Sequence, residues 1–325
     1  MEMRQLYLEY DKKELNVLVH AAGIRLEPGL EYCCGIYEGE RLIACGGYEN
    51  ATIKCLAVLP HLQGEGLMSK LISHLYSTLR KEGKEEIFIF SKPKNAKLFR
   101  SLGFVELARV EMAALFTSRA SGLQTYLRGI KPPATAPVGA IVMNANPFTL
   151  GHRYLVSEAA SQCATLLIFV LEENKSAYSF ETRLRLVREG VNDIQNAFVY
   201  GGGPYMISRD TFPSYFLKDP SGAAQTYAQL DAALFAKRIA PKLNITKRFV
   251  GSEPLDPLTS LYNETLKEIL PKVGIEVNEI PRLELDGGPV SASRVRTLVD
   301  EGKLAQTRPL LPATTFAYLE AQKND

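Results

Sequence analysis

Val138-Gly139-Ala140-Ile141-Val142-Met143-Asn144-Ala145-Asn146-Pro147-Phe148-Thr149-Leu150-Gly151-His152 carries the first clear fold signal in the chain. Its first six residues carry no polar side chain, which fits a strand buried on both faces. The spacing that follows predicts a helix from about Gly151 to Gln162. Working outward, Thr165–Leu171 reads as a second buried strand, Phe180–Ile194 as a helix and Phe198–Gly201 as a strand. Thr226–Ala240 reads as a helix, Phe249–Gly251 as a strand, Ser260–Leu270 as a helix and Glu276–Ile280 as a strand. Strands alternating with helices predict a doubly wound, mainly parallel sheet. Such sheets bind ligands beyond the carboxyl ends of their strands.

The junction Asn144–His152 leaves a strand and enters a helix N-terminus, where free N–H groups and the helix dipole suit an anion. Gly151 permits a close backbone or phosphate approach, and His152 falls in the first helical turn. A histidine at a helix start is by itself an ordinary surface residue; the combination at this junction points to chemistry. Near the C-terminus, Val290-Ser291-Ala292-Ser293-Arg294-Val295-Arg296 follows the turn Asp286-Gly287-Gly288-Pro289. Ser291 or Ser293 caps the next helix. With Arg296 three residues on, hydroxyls, helix-start N–H groups and a guanidinium can also converge on phosphates.

The first half reads differently. Gly35–Tyr37 and Leu42–Tyr48 form strands around the turn Glu38-Gly39-Glu40, and Thr52–Leu59 is a third strand. Gly66–Lys81 has helical apolar spacing, Glu86–Phe90 is a strand, Asn95–Leu102 a helix stopped by Gly103, and Phe104–Phe116 further strands. This is an α+β pattern. Lys131–Pro137 holds three prolines in seven residues and marks a boundary. The expected division is 1–130, a linker at 131–137, and 138–325.

The length of 325 residues fits two domains, and 46% hydrophobic residues supply two cores. Residues 1–130 carry 17 basic and 15 acidic side chains, and residues 131–325 carry 21 of each. Neither half is a polycation, so no nucleic-acid partner is expected. No apolar run spans a bilayer, so no membrane partner is expected, and the charged start does not read as a signal peptide. Five cysteines without a CxxC and four histidines without ligand spacing point to reduced thiols, a cytoplasmic location and no metal site.

Asn146-Pro147-Phe148-Thr149-Leu150-Gly151-His152 with Ser291-Ala292-Ser293-Arg294-Val295-Arg296 resembles the paired HxGH and ISxSxxR signatures of the nucleotidyltransferase superfamily. Thr149 stands where the first histidine belongs, and Val290 replaces isoleucine. The resemblance implies that His152, Thr149 and Arg296 are catalytic and that Asn146, Pro147, Phe148, Gly151, Ser291 and Ser293 bind ATP. Lys175 and Arg183 are further phosphate candidates, or else solvated surface charges. Gln63-Gly64-Glu65-Gly66-Leu67-Met68 before a helix resembles the CoA-binding loop of GNAT acetyltransferases, with Met68 in place of a final small residue.

A GNAT-like domain ahead of such a nucleotidyltransferase domain is similar to the citrate lyase ligases. That resemblance implies ATP as substrate with Mg²⁺ and no tightly bound cofactor. It implies adenylylation of acetate, acetyl transfer to the prosthetic-group thiol of the citrate lyase acyl-carrier subunit, and release of AMP and diphosphate. Gln63, Gly64 and Gly66 are then expected to bind the CoA-like arm of that carrier. Two other activities fit parts of the pattern: adenylyl transfer to a small phosphorylated metabolite, and GNAT acetyl transfer.

Overall fold

Apolar side chains on every residue of Val138–Met143 suit a strand with both faces covered, and this segment forms the middle strand of a five-stranded parallel sheet. The computed structural model describes residues 1–131, 135–173, 175–208, 211–217, 222–253, 256–285 and 287–323. Pro132, Pro133 and Ala134 of the expected linker lie outside them.

The chain separates into two compact units. The first joins Met1–Leu123 to Phe212–Ala233; the second joins Gln124–Thr211 to Leu234–Asp325. These units group the chain differently from the expected division into 1–130, a linker at 131–137, and 138–325. A 22-residue segment from the later half packs with the first unit.

The first unit holds β1 (Glu2–Leu6), β2 (Tyr32–Glu38), β3 (Arg41–Glu49), β4 (Thr52–Val58), β5 (Phe88–Ser91), β6 (Val105–Arg109) and β7 (Ala114–Thr117). They form one sheet in the order β1-β2-β3-β4-β5-β7-β6. Its helices are α1 (Leu8–Ala21), α2 (Leu67–Lys81) and α3 (Ala96–Ser101), and α4 (Gly122–Gly129) crosses the division. α2 buries Leu67, Leu71, Ile72, Leu75 and Leu79, a helical stripe that packs on β3 and β4. β4 and β5 run parallel but pair only at Thr52–Phe88 and Ile53–Ile89; beyond these residues the ladder stops.

In the second unit, β8 (Val138–Met143), β9 (Thr165–Val170), β10 (Ala197–Gly201), β11 (Ile245–Gly251) and β12 (Glu276–Ile280) are all parallel, in the order β10-β9-β8-β11-β12. The strand order reverses between β8 and β11, so the loop after β8 opens at the switch point. α5 (Leu150–Ser161) and α6 (Phe180–Gly190) pack on this sheet through Val156, Ala159, Leu186 and Val187. α6 stops at Gly190, short of the expected Ile194, where Arg153 takes the Gly190 carbonyl; the Phe148 ring leaves room there for glycine alone.

The later helix is longer than expected: α7 (Ala223–Leu234), a π turn at Phe235–Ile239 and α8 (Ala240–Leu243) follow without a break. Pro241 has no N–H to give at this point, a setting where helices change pitch. α9 (Pro257–Ile269) precedes β12, and the two-residue strands β13 (Glu284–Leu285) and β14 (Gly288–Pro289) lead into α10 (Ala292–Asp300). α10 and α11 (Ala313–Lys323) share a second core around Val290, Val295, Leu310 and Leu319.

Candidate functional site

α5 begins with a capping box. Thr149 is the N-cap, and its Oγ1 accepts from the His152 backbone N–H at 3.4 Å. The Thr149 N–H in turn donates to His152 Nδ1 at 3.1 Å, and the hydroxyl lies 2.9 Å from the same nitrogen. A ring nitrogen that accepts a backbone N–H carries no proton, so the neutral imidazole has its proton on Nε2. Phe148 stacks on the ring at 5.8 Å between centroids. Burial, and next the positive charge of Arg282, pull the His152 pKa down to about 4. At neutral pH His152 is an uncharged N–H donor held in one orientation.

The C-terminal segment meets this loop at two points. A Cβ on Gly151 would lie 2.6 Å from the Val290 carbonyl oxygen, so only glycine lets the strand before α10 lie this close to α5. Arg296 donates from Nη1 to the Asn146 carbonyl. Ser291 caps α10 by accepting from the Arg294 N–H at 3.2 Å, and its hydroxyl lies 3.1 Å from that of Ser293. Two segments about 140 residues apart in sequence thus share one end of the sheet.

The chain was compared with known proteins. The citrate lyase ligase C-terminal domain model matches residues 138–319, and the acetyltransferase (GNAT) domain model matches residues 30–106. A citrate (pro-3S)-lyase ligase of Klebsiella pneumoniae is 44% identical over 86% of this chain and 84% of its own. Proteins of that name from Escherichia coli and Haemophilus influenzae are 38% and 35% identical, covering 94% and 98% of this chain and 90% and 98% of theirs.

The chain belongs to the citrate lyase ligase family. It is an enzyme of the ligase class with a GNAT domain in its first half.

The residues of the motif reading in this ligase take the following places. Thr149 is buried, and its hydroxyl faces His152, accepting from its backbone N–H and lying beside Nδ1. Phe148 is buried between Gly190 and His152, and Pro147 is buried beside it; both shape the loop from within. Asn146 accepts from the Tyr178 N–H at 3.1 Å through its side chain and from Arg296 through its carbonyl. Lys175 is exposed after β9, whereas Ser291 and Arg296 are half-buried and Ser293 is exposed.

Arg183 is no surface charge: it is fully buried. Its guanidinium donates to the carbonyls of Asn144, Leu171, Glu173 and Tyr178 at 2.7–3.1 Å and to the Asn144 side chain at 2.7 Å. It ties the loops after β8 and β9 together. Asn144, which the motif reading passed over, also donates to Glu173 at 2.6 Å and Ser176 at 3.1 Å. Arg282, just past β12, was equally missed; it pairs with Glu253 and sets part of the field at His152. A single basic residue after a strand carries no signal in sequence of which neighbours it meets.

In the first unit, Gln63 is exposed and its amide donates to the Val58 carbonyl at 3.4 Å. Gly64 and Gly66 sit at φ +101° and +80°, and a Cβ on either would meet nothing within 4 Å. Their backbone faces open space at the start of α2. Met68 is half-buried and lines the cleft that this loop borders.

Proposed function

We propose that this ligase adenylylates acetate and passes the acetyl group to the prosthetic-group thiol of the citrate lyase acyl-carrier subunit. An acetate oxygen attacks the α-phosphorus of ATP, the bond to the bridging oxygen breaks, and diphosphate leaves. The carrier thiolate then adds to the acetyl carbon of acetyl-AMP, and AMP departs. The observation that carries this reading is the junction of the Asn146–His152 loop with the Val290–Arg296 segment at the sheet's switch point.

The first step needs positioning and charge stabilisation more than covalent help. His152 offers an Nε2–H to oxygen that gains charge. Arg296 and the hydroxyls of Ser291 and Ser293 receive the β- and γ-phosphates as they leave, while Lys175 adds charge from the loop after β9. Gly151 keeps the two segments close. Mg²⁺ would arrive on the phosphates, held by their oxygens and water.

The acceptor thiol must come from outside this chain. All five cysteines are buried and free, and burial pushes Cys33, Cys34 and Cys55 up to about 12. None supplies a thiolate at neutral pH. Gln63, Gly64 and Gly66 at the start of α2 suit the diphosphate of the carrier's CoA-like arm. The test is diphosphate release from ATP with acetate, with and without thiol-form citrate lyase. Acetate-dependent release followed by AMP formation on adding the thiol is expected. AMP retained in a small-molecule product, or acetyl-CoA consumed without ATP, would replace this reading.

A further inference from the structure

The cleft of the first unit has a volume of about 430 Å³. Its walls are Leu56–Val58 of β4 and Phe90–Ser91 of β5, which splay apart where their ladder ends. One end is the Gln63–Gly66 loop, which follows β4. Tyr215 and Phe216, from the later half of the sequence but within the same unit, also line it.

The placement of Tyr215 follows from its bonds. Its carbonyl accepts from the Arg25 N–H at 3.0 Å, and the Ser214 carbonyl accepts from the Arg25 guanidinium at 3.1 Å. Its hydroxyl lies near the Cys55 backbone, at a residue with φ +54°. Cys55 lies three residues before Val58, so this contact sits up-strand from the glycine loop. Phe212 anchors the segment by an edge-on contact with Phe90 at 5.7 Å, and Phe216 meets Phe212 at 6.1 Å. Tyr215 and Phe216 are both buried.

We infer that Tyr215 and Phe216 make this cleft a dead end that accepts a diphosphate–pantetheine arm as the free thiol and rejects the acylated form. This rests on the arm-binding reading of Gln63, Gly64 and Gly66. An arm entering past the glycine loop brings its thiol toward the phenol. An acyl group on that sulfur must displace Tyr215. The first unit then reads the state of the thiol.

The test titrates the full chain with CoA and acetyl-CoA by calorimetry, then with the isolated acyl-carrier subunit in thiol and acetyl forms. The wild type is expected to bind each thiol form about tenfold or more tighter than its acetyl form, the scale of one steric clash. Tyr215→Ala should bring the two within about twofold by tightening acetyl-CoA binding, at one fold-scale per displaced contact. Tyr215→Phe keeps the ring and should keep the preference. Equal wild-type affinity for both forms overturns the dead-end inference while leaving arm binding in place. Failure of both CoA and carrier to bind overturns the arm-binding reading and this inference with it. Binding of the carrier alone identifies the arm's source as the protein, and binding of both shows that the arm suffices.

Discussion

His152 and Thr149 divide one task. The threonine spends its backbone and hydroxyl on fixing the ring, and in the proposed reaction the ring offers its remaining N–H to the substrate. His152→Ala should lower acetate-dependent diphosphate release by about 100-fold, the scale for one preorganised donor. It also removes part of a capping box, at about 0.5–2 kcal/mol, so its thermal midpoint should fall modestly. Unchanged turnover in the folded variant would remove His152 from the chemistry. The same residue gives a pH signature. Unfolded His152 takes up a proton near 6.5, the ordinary histidine value, whereas the folded ring resists it down to about 4. The unfolded state therefore binds more protons in this window, and stability falls as pH drops through it. At about 1.4 kcal/mol per pKa unit the loss is at most about 3 kcal/mol. Denaturant titrations from pH 7 to 4 should show this slope in the wild type and a flatter one in His152→Asn.

Arg183 makes the opposite point at the same scale. Its charge faces no solvent and serves four carbonyls and one side-chain amide oxygen. Arg183→Met would leave several of those acceptors unpaired, at about 1–3 kcal/mol each. Loss of more than about 3 kcal/mol in chemical denaturation is expected. A stable, active Arg183→Met protein would show that the loops hold without it.

At the level of elements, Gly151 decides how near α10 comes to α5. A methyl group there meets the Val290 carbonyl oxygen, which is backbone and cannot swing aside. Gly151→Ala should destabilise by about 1–3 kcal/mol and raise the KM for ATP, because the segment bearing Ser291 and Arg296 is pushed outward. An unaltered KM would show that the two segments act independently.

The regular elements of the second half were legible because their periods are clean. Val138–Met143 and Glu276–Ile280 lie where their patterns place them. β1 and α1 were not read: β1 is a mostly exposed edge strand, and α1 displays Tyr10 and Val17 to solvent. The motif residues were visible as a set, but their division of labour was not. Thr149 turns inward onto His152, three residues on, whereas the burial of Arg183 depends on Asn144, 39 residues away in sequence. Nothing local in the segment Phe212–Phe216 names β5 as its partner.

For the whole molecule, the two proposed binding tasks fall in separate units, which makes the half-reactions separable. Gly66→Glu adds a carboxylate at the open start of α2, where φ +80° already disfavours a side chain. It should weaken use of the carrier thiol about tenfold or more while acetate-dependent diphosphate formation stays near wild type. Gly66→Asn, which tolerates a left-handed backbone, controls for strain. Parallel loss of both half-reactions in Gly66→Glu would indicate general unfolding instead.

The membership of Phe212–Ala233 in the first unit also bears on how the protein is made. A ribosome that has released the first 130 residues has delivered an incomplete sheet-and-helix body whose Phe90 side chain still lacks the Phe212 ring. Completion waits until residue 233 has emerged, after β8, β9 and β10 of the other unit have already been synthesised. Splitting the gene at the prolines would therefore yield an N-terminal product with an open apolar cleft, one that should bind hydrophobic dyes and recover its closure when a peptide spanning residues 212–233 is supplied in trans.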